Sequence, residues 1–354
     1  MKKLLLVLLS LVLCISLFAC TGEKVPENED GDKTENAGDA VENNGDASGN
    51  EDKDEVAKDE FATGTKIKLS ALKGPTSIGL LKLIGDEKDT VDYTLAGVAD
   101  EITAPFLKGE LDIVAVPANL ASVLYNKTEG KVNVLAVNTL GVLYLVDTKN
   151  EITSIADLEG KTVYSTGKGT TPEFVFNYIL EKNGLKDKVT VEYVSEATEL
   201  AALLSAEKAS LAILPQPYVT TVLKQNEKAK IALSLTDEWK KVSGGTEMIT
   251  GVVIAKKDYV AANKDTVDIF LKKYESSIAY VNENVSETAD ACVEYGIIAK
   301  KPIAEAAIPY CNVAFMGGEE MKAAVSAYLK VLYDQNPKAV GEALPEDDFY
   351  YLGK

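Results

Sequence analysis

The chain has 354 residues, with 37 basic residues against 55 acidic ones and a formal net charge of -18. Every basic residue is lysine, and the chain contains neither arginine nor histidine. This composition argues against nucleic acid as a partner, because phosphate contacts need clustered positive charge. It also removes the commonest general base and metal ligand and the bidentate clamp for carboxylates. Hydrophobic residues, at 46 %, are enough for a sizeable core.

The first segment reads as an address. Lys2 and Lys3 precede a nearly unbroken apolar run from Leu4 to Leu17, too short for a permanent membrane span and of signal-peptide length. Leu17-Phe18-Ala19-Cys20 resembles a bacterial lipobox, which implies cleavage before Cys20 and lipidation of its thiol. Residues 1–19 are therefore expected to be a lipoprotein signal peptide, and residues 20–63 the lipidated cysteine and an acidic tether. Residues 21–60 hold fifteen Asp or Glu and four Lys with almost nothing large and apolar. Such a composition cannot bury enough surface to offset its ordering entropy. Cys292 and Cys311 lie in the remaining body, where a disulfide and two buried thiols both stay open. No cysteine spacing suits a metal, and no cofactor is expected.

The body contains an internal repeat. Lys73-Gly74-Pro75-Thr76 and Lys168-Gly169-Thr170-Thr171 each follow a short β-rich run, 95 residues apart. The apolar strand Leu111 to Pro117 recurs as Ala209 to Pro215, 98 residues later. After each proline comes a helix, Asn119–Asn126 and Tyr218–Gln225, and then a short strand, 133–137 and 230–234. Residues 66–137 and 161–235 thus read as two copies of one β-α-β-α-β-α-β unit. Alternating strands and helices imply mostly parallel sheets covered by helices on both faces.

From Gly251 the pattern changes. A single strand, 251–255, is followed by helices whose apolar residues recur at helical spacing, as in Val267, Phe270, Leu271, Tyr274, Ile278 and Val281. This part has no counterpart in the second copy, so the simplest topology returns it to the first lobe. The expected division is 64–145 for the first part of lobe 1, 146–247 for lobe 2 and 248–354 for the return to lobe 1. Two chain crossings between the lobes, near 140–150 and 244–251, would make a hinge.

Ile155-Ala156-Asp157-Leu158-Glu159-Gly160-Lys161-Thr162-Val163, the glycine-rich Gly167 to Thr171 opening a helix, and Thr250 to Lys257 carry a family resemblance. Together with the lipobox and tether they resemble the solute-binding lipoproteins of ABC importers, in the nitrate/sulfonate/taurine and thiamine-pyrimidine-precursor branch. The resemblance spans about residues 65–340. It implies an α/β fold of two lobes, the type II periplasmic-binding or Venus-flytrap fold, and binding without catalysis. The partners it implies are a small molecule and an ABC permease with its ATPase. It further implies a monomer held on the extracytoplasmic face of the membrane by its lipid alone.

Candidate ligand contacts come from the loops at strand ends. Thr171 reads as an N-cap with Pro172 at N1, so free N–H groups near Gly169, Thr170 and Thr171 face the crevice. Gly74, Thr76 and Ser77 offer the same device from the other lobe, and Lys73 and Lys168 add positive charge. Asn119 follows one strand-end proline, and Gln216 and Tyr218 follow the other. Thr139 and Met248 lie near the crossings. Trp239, the lone tryptophan, reads as packing. The expected ligand is an anionic organic solute such as a sulfonate or carboxylate, with a planar heterocycle of pyrimidine type as the alternative. The rival functions are an enzyme on the same scaffold and a ligand-sensing surface lipoprotein.

Overall fold

The computed structural model describes residues 60–353. The expectations for the signal peptide, for Cys20 and for nearly all of the tether fall outside those residues.

Eleven strands form two sheets: β1 (Ile67–Leu72), β2 (Val91–Ala96), β3 (Ile113–Pro117), β4 (Val132–Leu140), β5 (Leu143–Asp147), β6 (Thr162–Ser165), β7 (Thr190–Tyr193), β8 (Leu211–Pro215), β9 (Lys230–Ser234), β10 (Ile249–Lys256) and β11 (Val313–Met316). The first sheet runs β11-β4-β10-β3-β1-β2 and the second β7-β6-β8-β5-β9. The repeat is visible in this order. β1 pairs in parallel with β2 and β3, as β6 does with β7 and β8. In each sheet one antiparallel strand is wedged between the third and fourth members of its unit: β10 between β3 and β4, and β5 between β8 and β9. Each wedge strand starts immediately after the chain has crossed from the other lobe, so the two lobes interlock.

Burial follows position. Ile113 to Val116 of β3 and Leu211 to Leu214 of β8 are buried on both faces, as their continuous apolar runs require of central strands. β2, at the edge, alternates between exposed and covered residues. Helix Lys264–Glu283 lays Val267, Phe270, Tyr274, Ile278 and Val281 on one face of the first sheet, where each large apolar side chain contributes ~1.5–3 kcal/mol. The other face shares one core with the second sheet, because helix Gly318–Gln335 packs on β4 and on helix Thr171–Lys182 alike.

Two local readings need correction. β4 does not end at Val137: it continues to Leu140 because Thr139 and Leu140 keep partners in β10 and β11, so Thr139 lies inside the strand. Thr171 is not the N-cap of its helix. Thr170 occupies that position, and its hydroxyl donates to Gly167 O at 2.6 Å rather than accepting from the helix. Glu173 takes the capping role by accepting from Gly169 N. The stretch Ser154 to Leu158 is a capping box: Asp157 accepts from the N–H groups of Thr153 and Ser154, which hold its carboxyl down at about 2. Its role there is structural. Cys292 and Cys311 are both free and buried, and burial pushes the Cys292 thiol up to about 12.

Candidate ligand-binding site

The carboxyl ends of β1, β3, β4, β6, β8 and β9 all point to the zone where the chain crosses between lobes. The first crossing is only Gly141 and Val142, between β4 and β5; the second is residues 243–248, between helix Leu235–Val242 and β10. Every loop singled out in the sequence lies at these ends. The side chains differ in what they do there.

On the first lobe, helix Pro75–Ile78 is a single turn and carries little dipole. Thr76 donates to Leu72 O at 3.0 Å, and Ser77 donates to Gly74 O at 2.8 Å, so both hydroxyl protons are already engaged. Lys73 is exposed and Gly74 is buried. Thr139 is fully buried and donates to Asn138 Oδ1 at 3.0 Å, while Asn138 Nδ2 donates to Thr76 O at 3.1 Å. Gly251 must lack a side chain here: a Cβ would stand 2.4 Å from Asn138 Oδ1 and 2.5 Å from Thr76 Cγ2. Asn119 is turned away from the crossing zone, toward Ala339 O in the C-terminal segment.

On the second lobe, Gly167 and Gly169 both have positive φ, 72° and 76°, which explains why glycine stands at each. Lys168 reaches over the Tyr193 ring, with Nζ 5.8 Å from its centroid. The Tyr193 hydroxyl is pushed up to about 12 by burial and by the Glu173 carboxylate. An anion arriving at this helix start therefore meets Glu173 already on the Gly169 N–H. Tyr218 is half-buried beside the core of the second sheet's outer face. Gln216 is 1 % exposed, and Met248 is fully buried against Gly141.

Contacts between the two sheets and their helices surround this zone, and Tyr144, expected in the first part of lobe 1, stands on β5 of the second sheet. Tyr144 Oη donates to Tyr310 O at 2.9 Å, and Asn312 Nδ2 donates to Gly141 O. Helix Lys301–Ala307 packs on helix Tyr218–Gln225. Trp239 lies between Tyr178 and Tyr328, with ring centroids 4.9 and 5.5 Å away. Tyr328 stands on helix Gly318–Gln335, which packs on β4 of the first sheet; Tyr178 and Trp239 stand on helices Thr171–Lys182 and Leu235–Val242.

Among the described residues, six buried side-chain polar atoms lack a hydrogen-bond partner. The hydroxyls of Tyr93, Tyr274 and Tyr328 lie close to Ser77, Asn138 and Thr171 without completing a bond of good geometry. The other three, Gln216 Nε2, Thr236 Oγ1 and Glu247 Oε2, flank the crossings. Glu247 spends its other oxygen on Lys240 at 2.7 Å, so it is neither a plain surface carboxylate nor a free one. An unpaired buried polar atom costs ~1–3 kcal/mol, so each of the three at the crossings calls for a partner.

Cavities of about 400 Å³ occur elsewhere. One lies at the opposite end of the first sheet, lined by Phe106, Lys127, Lys131 and Lys256; another lies beside helix Lys264–Glu283, where Lys82 and Lys273 are held by Asp86 and Glu87. Neither lies at the carboxyl ends of the unit strands, and the second already has its charges paired. The sequence had not singled out Asn138, Gly141 or Thr236. Gly141 carried a usable signal, as a glycine just past an apolar strand.

Residues 75–334, well over half of the chain, match the family described as Menaquinone biosynthesis. The chain belongs to that family. Among solved structures it is similar to an ABC transporter from Parabacteroides distasonis, with 25 % identity, a TM-score of 0.69, and coverage of 81 % of this chain and 99 % of that one. It is also similar to the periplasmic aliphatic sulphonate binding protein SsuA of Escherichia coli, with 14 % identity, a TM-score of 0.64, and coverage of 78 % and 90 %. A third is the alkanesulfonate-binding protein SsuA of Xanthomonas axonopodis pv. citri bound to MOPS, with 12 % identity, a TM-score of 0.62, and coverage of 82 % and 99 %. No curated protein matches the chain. The shared fold is the type II periplasmic-binding fold expected from the sequence.

Proposed function

We propose that the chain is a solute-binding receptor of an ABC importer, which captures a small molecule between its two lobes and passes it to a permease and its ATPase. The observation that carries this reading is the interlocked duplication. Two sheets of matching order turn their carboxyl ends to one zone and are joined by two short crossings beside each other. That geometry permits hinge closure around a guest. Relatives of the same fold that bind sulfonates support it. Contacts are proposed from Gly74, Thr76, Ser77, Thr139, Gly169, Thr170, Thr171, Gln216, Tyr218 and Met248, with Lys73 and Lys168 at the rim; Asn119 is the weakest of the set because its amide turns to Ala339 O in the C-terminal segment.

The ligand offers hydrogen-bond acceptors. An organic anion is the form the family resemblance implies, and a planar heterocycle is the alternative. Raising ionic strength weakens capture of an anion by Lys73 and Lys168 and leaves stacking on Tyr218 nearly unchanged. The test of the reading is native mass spectrometry of the unrefolded protein, followed by small-angle scattering with the molecule it retains. A bound small molecule, a fall in radius of gyration and a raised melting temperature are expected. Binding with no compaction would remove the hinge.

An enzyme on this scaffold is the second reading, favoured by the family's description as Menaquinone biosynthesis. It would need an activated group. Burial pushes both cysteine thiols up, away from the reactive thiolate. Recovery of the bound molecule unchanged after incubation separates the readings, and turnover would decide for the enzyme.

Anchoring through Cys20 on the extracytoplasmic face, as a monomer, completes the proposal. Replacing Cys20→Ala should release the protein from membranes or leave it unprocessed. Fractionation like wild type would exclude the anchor.

A further inference from the structure

The three unpartnered atoms at the crossings are not chemically equivalent. Gln216 is nearly inaccessible, and its amide orientation is fixed from one side. The Thr220 N–H donates to Gln216 Oε1 at 3.3 Å, and the Thr220 hydroxyl donates to the same oxygen at 2.9 Å. Only an oxygen can accept from a backbone N–H, so the other end of the amide is Nε2, a donor with no acceptor. The Gln216 backbone N–H reaches Val142 O at 3.2 Å, which places the residue directly beside the first crossing. Thr236 flanks the same crossing from the opposite neighbour: its unpaired hydroxyl packs so closely on Gly141 that a Cβ there would stand 2.1 Å from it. β5 runs between β8 and β9, with Leu143 opposite Pro215 and Tyr144 opposite Ser234, so Gln216 and Thr236 follow the two strands that sandwich it.

From this geometry we infer that Gln216 is the specificity-determining donor of the site, and that it reads an acceptor oxygen or nitrogen on the ligand, with Thr236 on the opposite side of the same crossing. The inference rests on the solute-binding reading and narrows it. A ligand whose only polar groups are donors, such as an alkyl diamine, leaves Gln216 Nε2 unpaired and brings a second set of donors against it. A ligand with a sulfonate, carboxylate, carbonyl or ring-nitrogen acceptor satisfies it. Gln216 is neutral, so it discriminates acceptor from donor and not anion from neutral molecule.

Two substitutions together isolate this role, Gln216→Glu and Gln216→Met. Glu keeps an oxygen for Thr220 but exchanges the Nε2 donor for an acceptor and adds a negative charge, whereas Met removes the donor with no new charge. The full-length chain and the two variants are titrated by calorimetry with MOPS, nitrate, uracil and putrescine, and all are weighed intact by native mass spectrometry for a molecule carried through purification. Circular dichroism confirms that each variant is folded, and a loss shared by Gln216→Met and Gln216→Glu is assigned to the missing donor rather than to the added charge. The expected result is that MOPS, nitrate or uracil binds wild type, putrescine does not, and binding of that probe falls at least tenfold in both variants. Equal affinity of wild type and a folded variant for the same probe overturns the role of Gln216 and leaves the solute-binding reading standing. Binding of putrescine alone overturns the ligand class. If wild type binds none of the four and carries no small molecule, the solute-binding reading itself fails, and the inference fails with it.

Discussion

Replacing Trp239→Ala is expected to destabilise the fold by about 3–5 kcal/mol, the range for deleting a fully buried large aromatic side chain. Trp239 is 0 % exposed. Its ring is held between Tyr178 and Tyr328, and its indole N–H donates to Thr246 Oγ1 at 3.3 Å in the second crossing. The loss therefore has three parts: buried area, a cavity between helices of both lobes, and a hydrogen bond that pins the crossing. Denaturant titration of the Ala and Phe variants measures it, with Phe losing distinctly less because it retains most of the packing. A loss below about 1 kcal/mol in the Ala variant would mean that the site collapses freely and that the aromatic group is not a shared core.

Replacing Gly141→Val is the second large expectation. A Cβ at this position would stand 2.1 Å from Met248 Cε and 2.1 Å from Thr236 Oγ1. The thioether end can move, but the threonine hydroxyl sits on a short branched side chain and cannot swing far. Overpacking of this kind costs about 1–3 kcal/mol. It acts on the two-residue crossing, so the strain falls on the joint between the lobes. The variant should melt lower and show a larger radius of gyration. Combining it with Thr236→Ala and Met248→Ala should recover part of the loss, since coupled neighbours do not add independently. A valine variant with wild-type stability and dimensions would show that the two crossings do not pack against each other.

Much of the fold is legible in the sequence. The repeated Lys-Gly-x-Thr loops and strand-end prolines report two copies of one unit, and the sheets obey matching orders. Helix Tyr218–Gln225 and strand Lys230–Ser234 have the bounds read from sequence, because apolar periodicity and flanking breakers are local signals. Helix ends were less secure. Thr170 and Thr171 are both good caps by type, and the choice between them is made by Gly167 O, which captures the Thr170 hydroxyl, and by Glu173, which reaches back to Gly169. Trp239 read correctly as packing, since a lone large ring beside charged residues on a helix with an apolar stripe has one dry face to bury.

The site was less legible for a different reason. Thr76 and Ser77 stand at a helix start and Thr139 near a crossing, where a ligand can be met, but each hydroxyl donates to a neighbour in the same lobe. Asn119 donates to Ala339 O, a partner 220 positions away in sequence. Residue type alone cannot show which hydrogen bonds are already spent. Gln216 was one candidate among many in the sequence; it becomes distinctive only because Thr220 occupies its oxygen and leaves its nitrogen unpaired.

By itself, the sequence determined the exclusions, the duplication and the strand and helix content, because composition, period and turn chemistry act over a few residues at a time. It also supplied the lone tryptophan and the absence of Arg and His. The tertiary structure decided which strands interlock, which hydroxyls are free, and where glycine is compulsory. Those outcomes depend on distances between segments far apart in the chain: Gly251 against Asn138 and Thr76, Gly141 against Thr236 and Met248, Trp239 against Tyr328. Close packing is a property of these meetings, and no local pattern encodes it.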